Sequence, residues 1–121
     1  MTLGEARIQR FLATKDIAIL ATVKVDGAPL AMPMWFLHDA ASLTMISVEG
    51  THKVRNLRRD ARVCVVAEAG SGGGDERGVT VLGKAEFRYP RLERLWTGRA
   101  MPPNRVMFRI VPAHVRCWGL E

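Results

Sequence analysis

The chain has 121 residues, 48% hydrophobic and 25% charged, with 18 Lys and Arg against 12 Asp and Glu for a net charge of +6. That length suits one domain, and a chain of this size buries about two-thirds of its unfolded surface, so a sizeable ligand is expected in a surface groove or between subunits. The apolar content excludes disorder, and the purest apolar run, Ile17 to Val23, falls far short of the roughly 18 residues of a membrane span.

Met1 to Arg7 lacks the apolar middle of a secretory signal, so a cytoplasmic location is expected. The basic balance suits an anionic partner: nucleic acid, anionic lipid or a phosphorylated small molecule. Cys64 and Cys117 are far apart in apolar surroundings and read as free thiols without a catalytic task. The three histidines, His38, His52 and His114, are scattered, and no Cys/His cluster has zinc spacing, so no metal is expected.

In chain order, residues 5–13 read as a short amphipathic helix, with Ile8, Phe11 and Leu12 on one face. Asp16 to Val23 reads as a strand buried on both faces, and Asp26-Gly27 as a hairpin turn. The next strand, Ala28 to His38, carries Pro29 and Pro33; part of it should be an edge or bend away from its neighbour. A loop at Asp39 to Ser42 precedes a third strand, Leu43 to Val48. Gly50 to Arg59 then switches to helical spacing, with Thr51 in the N-cap position. Arg62 to Glu68 is a fourth strand, Ala69 to Gly78 a Gly-rich loop, and Val79 to Phe87 a fifth strand with Val79, Val81, Gly83, Ala85 and Phe87 on one face. Tyr89 to Gly98 reads as a second short helix, Arg105 to Val111 as strand six and Val115 to Trp118 as a short seventh. The pattern predicts a single domain, mainly β with short helices: an antiparallel barrel of six to seven strands.

The Gly70 to Gly78 loop has neither G-x-x-x-x-G-K-[ST] nor G-x-G-x-x-G order and joins two strands, so it reads as a plain connection. The segment from Thr51 to Arg62 is more pointed. A helix start offers unpaired N–H groups and positive potential for a phosphate, and here Thr51 adds a hydroxyl and Lys53 a mobile cation. Arg58, one turn further on, should be solvated. The segment has no interleaved aromatics, which argues against single-stranded nucleic acid. No carboxylate pair, Ser/His/Asp set or Cys/His pair stands out, so no catalytic side chain is assigned and any chemistry should be borne by a cofactor.

Taken in order, Asp26-Gly27-Ala28-Pro29, Pro33-Met34-Trp35-Phe36, Gly50 to Leu57, Asp60-Ala61-Arg62-Val63, Val81 to Glu86, and Phe108-Arg109-Ile110 through Trp118-Gly119 resemble the pyridoxamine 5'-phosphate oxidase-like superfamily. Within it the pattern is most similar to the flavin- or deazaflavin (F-420)-dependent oxidoreductases. The resemblance implies a split β-barrel homodimer with cofactor sites at the subunit interface and hydride transfer at a bound ring, FMN or alternatively coenzyme F-420. It implies that Thr51, His52 and Lys53 grip the cofactor phosphate, that Ile46 and Ser47 lie beside the flavin, and that Met32, Pro33, Met34 and Trp35 flank the ring system. Trp118 matches a tryptophan supplied by the neighbouring subunit.

The departures narrow the expectation. Ala31-Met32 stands where true pyridoxine-phosphate oxidases have an early arginine, His52-Lys53 where they have Arg-Lys, and Gly78 where they have a glutamine. The chain stops soon after Trp118, without the Arg-rich segment that grips the pyridoxal substrate. Vitamin B6 oxidation is therefore not expected. A non-catalytic flavin- or haem-binding barrel, with His38 or His114 as an axial ligand, is the alternative.

Overall fold

The computed structural model describes residues 1–88 and 104–121; the helix expected over Tyr89 to Gly98 lies outside the described residues. The elements are α1 (Ala6–Leu12), β1 (Ile17–Val23), β2 (Pro29–Trp35), β3 (Leu37–His38), β4 (Leu43–Val48), α2 (His52–Arg59), β5 (Arg62–Ala69), β6 (Arg77–Arg88) and β7 (Arg105–Trp118). All ladders are antiparallel and form one sheet in the order β2-β1-β5-β6-β7-β4-β3.

That order has a geometric consequence. β2 and β3 are the two ends of the sheet, yet only Phe36, buried at 5% exposure, separates them in the chain. The sheet must therefore curl until its ends nearly meet, giving a half-barrel with a split between β2 and β4. Pro33 has no N–H to donate, and it sits on the terminal strand of the sheet as the sequence led one to expect. Beyond Leu43 and Thr44, which pair with β3, β4 has a ladder partner among the described residues only on its β7 side.

Turn chemistry follows the sequence closely. Gly27 takes φ 88° in the β1–β2 hairpin, and the Ala28 N–H donates to Asp26 Oδ1 at 3.0 Å. Asp39 Oδ1 accepts from the N–H groups of Ala41 (2.7 Å) and Ser42 (2.8 Å) before β4. The Gly-rich connection is shorter than expected, because β5 and β6 pair out to Ala69 and Arg77. Asp75 Oδ1 holds its tip by accepting from the Ser71 N–H at 2.8 Å and hydroxyl at 3.0 Å.

The strands are partitioned differently from the expectation in three places. The Ala28 to His38 stretch breaks at Phe36 into β2 and β3, which pair with different neighbours. The two strands expected after Arg105 are one, because Pro112 falls opposite a register shift at Leu82 and Gly83. A side chain at Gly83 would place Cβ 2.2 Å from the Val111 carbonyl oxygen, so only glycine lets β7 run close enough to continue past the proline. Third, β1 is not buried on both faces: Ala18 and Leu20 are buried, but Ile17 and Ile19 remain 43% and 40% exposed.

The core lies inside the curl. Leu20, Val65, Val79, Val81, Met45, Phe108 and Ile110 fill it, and α1 closes one end with Ile8, Phe11 and Leu12. α2 packs on β1 through buried Val54 and Leu57 and through Asn56, whose Nδ2 donates to Thr22 Oγ1 at 3.0 Å. Both partners of that bond are buried, so it fixes where α2 sits as well as contributing about 1 kcal/mol.

Candidate functional site: the split between β2 and β4

The split holds a cavity of about 240 Å³ lined by Pro33, Met34 and Trp35 of β2, Ile46, Ser47 and Val48 of β4, Lys53 of α2 and Arg105 of β7. β4 delivers its three residues because it leads directly into the turn that starts α2. β7 delivers Arg105 because its first residue pairs with Val48, the last of β4. The Glu49 N–H donates to the Asn104 carbonyl at 2.8 Å, tying the β4–α2 turn to the residue before Arg105.

Its chemistry is asymmetric. The β2 side is apolar, with Trp35 62% exposed at the mouth. The other side carries two cations and, among the described residues, no carboxylate in its lining. Ser47 is 6% exposed, and its hydroxyl is a buried polar group without a hydrogen-bond partner among the described residues. Leaving such a group unpaired costs about 1–3 kcal/mol.

The start of α2 completes the picture. Thr51 is extended (φ −68°, ψ 159°) at the N-cap position, but its hydroxyl does not cap the helix; it donates to the Val48 carbonyl at 2.8 Å. The first intrahelical bond runs from the Arg55 N–H to the Thr51 carbonyl, so the N–H groups of His52, Lys53 and Val54 have no partner within the helix.

Of the ten residues singled out from the sequence, Pro33, Met34, Trp35, Ile46, Ser47 and Lys53 line this one cavity. Thr51 and His52 sit at the adjoining helix start and Met32 one step further along β2, outside the lining. Trp118 lies at the other end of β7 from Arg105, with its ring on Gly78: a Cβ there would fall 2.4 Å from the indole and 2.6 Å from the Ala67 carbonyl oxygen. The glycine found in place of a glutamine is thus the floor on which Trp118 rests.

Two expectations need correction or extension. Arg58 is not simply solvated: its Nη2 donates to Glu49 Oε2 at 2.8 Å and its guanidinium lies 4.3 Å from the centre of the Phe87 ring, so it braces the turn before α2. Arg105 was missed because only the β4–β7 register brings it to the split.

Other candidates are less suited. A larger hollow of about 360 Å³ on the outer face is lined by Ala21, Gly27, Pro29, Arg62, Cys64 and Leu82 among others. Its cation, Arg62, is already paired with Asp60 at 2.7 Å, which holds that carboxyl down at about 2. Cys64 and Cys117 are free thiols, and burial pushes the Cys64 thiol up, away from the nucleophilic thiolate. His38 does not line the split; its Nδ1 lies 2.7 Å from Gln9 Oε1, and Gln9 Nε2 donates to the carbonyls of Leu3 and Asp39. His114 is exposed opposite Leu82. Among the described residues no group of three or more His, Cys, Asp or Glu could hold a metal ion, and no helix is long and apolar enough to cross a membrane.

The described residues thus form a seven-stranded antiparallel half-barrel whose split is apolar on the β2 side and carries Lys53 and Arg105 on the other. The family model described as pyridoxamine 5'-phosphate oxidase matches residues 5–119, and the chain belongs to that family. A conserved hypothetical protein from Mycobacterium tuberculosis is similar, at 29% identity and a TM-score of 0.80 over 95% of this chain and 84% of that one. An FAD-binding protein from Mesorhizobium loti (22%, TM-score 0.74, 97% and 95% covered) and a haem storage protein from Vibrio cholerae (17%, TM-score 0.75, 99% and 96% covered) share the fold. A comparison with curated proteins finds no match in sequence.

Proposed function

We propose that the protein is a flavin-dependent oxidoreductase that binds FMN, with coenzyme F-420 as the alternative, in the split between β2 and β4 of a homodimer. The observation that carries this reading is a groove with Lys53 on one side and an apolar wall on the other, in which the buried Ser47 hydroxyl has no partner among the described residues. These residues fit a ring-and-phosphate ligand: Trp35, Met34 and Ile46 would flank a flat apolar ring, while Lys53, the first N–H groups of α2 and the Ser47 hydroxyl would hold a phosphate. When bound, the flavin supplies hydride exchange with a small organic substrate. The chain's own residues bind the tail, orient the ring against β2 and exclude water from its face.

Two further features support a homodimer. Ligand pockets usually span about 300–1,000 Å³, and the groove of one chain falls short of that. Ile17, Ile19, Pro33, Trp35, Val66, Cys64 and Leu82 share the outer face of β2, β1, β5 and β6 through their cross-strand pairs. An apolar face of this kind calls for a cover, and a second copy would bring its own Trp118 from the same outer surface.

The test is a titration of the purified protein with FMN and with riboflavin, which lacks the phosphate. Lys53→Ala should weaken FMN binding about ten- to a hundredfold, the worth of one charge-assisted hydrogen bond, and leave riboflavin nearly unchanged. Lys24→Ala, on the β1–β2 hairpin, should change neither. Equal losses for both ligands would assign Lys53 to the fold, and a Soret band without flavin binding would replace the flavin reading with a haem one.

A further inference from the structure

α2 carries both Lys53 and the N–H groups of the proposed phosphate corner, so the aim of that corner depends on how the helix is rotated on the sheet. Its buried apolar residues, Val54 and Leu57, make contacts without direction, which tolerate a range of rotations. Asn56 is different: it is buried, polar and bonded through both ends of its amide. Its Nδ2 donates to Thr22 Oγ1 at 3.0 Å, and its Oδ1 accepts from Arg59 Nη2 at 3.2 Å. The same Arg59 nitrogen donates to the Val23 carbonyl at 2.6 Å, so the amide is tied to two successive residues of β1. Thr22 continues the inward row of Ala18 and Leu20, where an apolar side chain would serve the core as well. A buried polar pair in that place adds little net stability over an apolar one, but it adds direction.

We propose that Asn56 is a positioning residue for the phosphate corner: through its bond to Thr22 it sets the rotation of α2 and so aims the first N–H groups of the helix, and Lys53, at the split. The proposal rests on the phosphate-site reading above and adds the residue that holds the corner in register. Lys53 and Asn56 stand close to one turn apart on the same helix and move together. At the roughly 5–6 Å radius of helix side chains, a rotation of about 20° displaces an atom by about 2 Å. N–H···O bonds span only about 2.7–3.2 Å, so such a rotation breaks contact with a phosphate. The lysine stem can follow part of the way; the backbone N–H groups cannot. A flat ring against β2 is held by buried area and feels little of the change. Phosphate affinity should therefore depend on Asn56, and ring affinity should not.

The test titrates FMN and riboflavin into wild type, Asn56→Leu, Thr22→Val, the double variant Asn56→Leu/Thr22→Val, and Thr22→Ser. Each of the first two leaves a buried polar group unpaired and should lower the denaturant midpoint; the double variant, apolar on both sides, should recover most of it. FMN affinity should fall about tenfold in both single variants and stay down in the double variant, with riboflavin within about twofold throughout. Thr22→Ser keeps the acceptor and should behave as wild type. Without any ligand, the backbone amide resonances of His52, Lys53 and Val54 should shift in the double variant, while those of Val79 and Val81 in β6 stay in place. The double variant decides even where a single variant does not fold. If it regains the wild-type ratio of FMN to riboflavin affinity along with its stability, the pair is a plain stabilising contact and the proposal is overturned. Equal losses for the two ligands overturn it as well. In both cases a wild type that separates FMN from riboflavin leaves the phosphate site standing; a wild type that does not separate them removes the site, and this proposal with it.

Discussion

The two faces of β1 are built from nearly the same kind of residue and meet different surroundings. Ala18 and Leu20 point into the curl at 2% and 1% exposure; Ile17 and Ile19 point out and stay close to half exposed. The outward pair lies in a row with Trp35 and Pro33 on one side and Val66 on the other. A strand apolar on both faces is suited to being covered twice. The core supplies one cover within the chain. The proposed second copy supplies the other. The comparison separates residues that make the chain fold from residues that would make it assemble, although composition treats them alike.

Substitutions on the two faces should therefore give different kinds of loss. Leu20→Ala is expected to cost about 2–5 kcal/mol of folding stability, the range for emptying a buried leucine site, measured by denaturant unfolding. Ile19→Lys should change unfolding of the single chain by only about 0.5 kcal/mol while shifting the sedimenting species from dimer to monomer. If Ile19→Lys unfolds the chain as severely as Leu20→Ala, without a change of mass, the two faces are not distinct.

A smaller effect is expected where the Trp118 ring rests on Gly78. Gly78→Ala would drive a methyl group into the Trp118 ring and the Ala67 carbonyl, for a loss of about 1–3 kcal/mol, as for overpacking. The shift in tryptophan emission should report that Trp118 has moved. Unchanged emission with unchanged stability would mean that Trp118 does not depend on its glycine floor.

The smallest effect concerns acid. The Arg62 side chain and backbone N–H hold the Asp60 carboxyl down at about 2. A lowered carboxyl group stabilises the fold above its unfolded value of about 4, and that contribution is lost as pH falls through the folded value. Asp60→Asn should thus be slightly less stable than wild type at neutral pH, with the gap closing towards pH 2. A gap that widens in acid would contradict the pairing.

The elements that punctuation residues mark were legible in the sequence. Asp26-Gly27, Pro33, Asp39 and Gly50-Thr51 each act through local backbone chemistry, and the strands and helix between them fall where that chemistry allows. What depended on partners was not legible. The apolar run of β1 could not reveal that one of its faces would be left open by its own chain. Pro112 reads as a strand end, because the glycine that accommodates it lies on another strand. Arg58 reads as solvated, because Phe87 and Glu49 reach it only in three dimensions. In the candidate site, the helix-start lysine and the flanking strands were recognisable as a pattern, whereas Arg105 depended on register across β4 and β7.

A curled sheet that stops short of closing leaves free backbone edges, and such edges are templates for unwanted strand addition by neighbouring molecules. Here the terminal strand β2 carries Pro29 and Pro33, and the facing end of β4 runs straight into a helix whose Lys53 stands at the opening together with Arg105. Prolines interrupt the donor row a stray strand would need, and clustered positive charge repels a second copy of the same edge. The residues that line the split thereby also guard it against the growth of an intermolecular sheet.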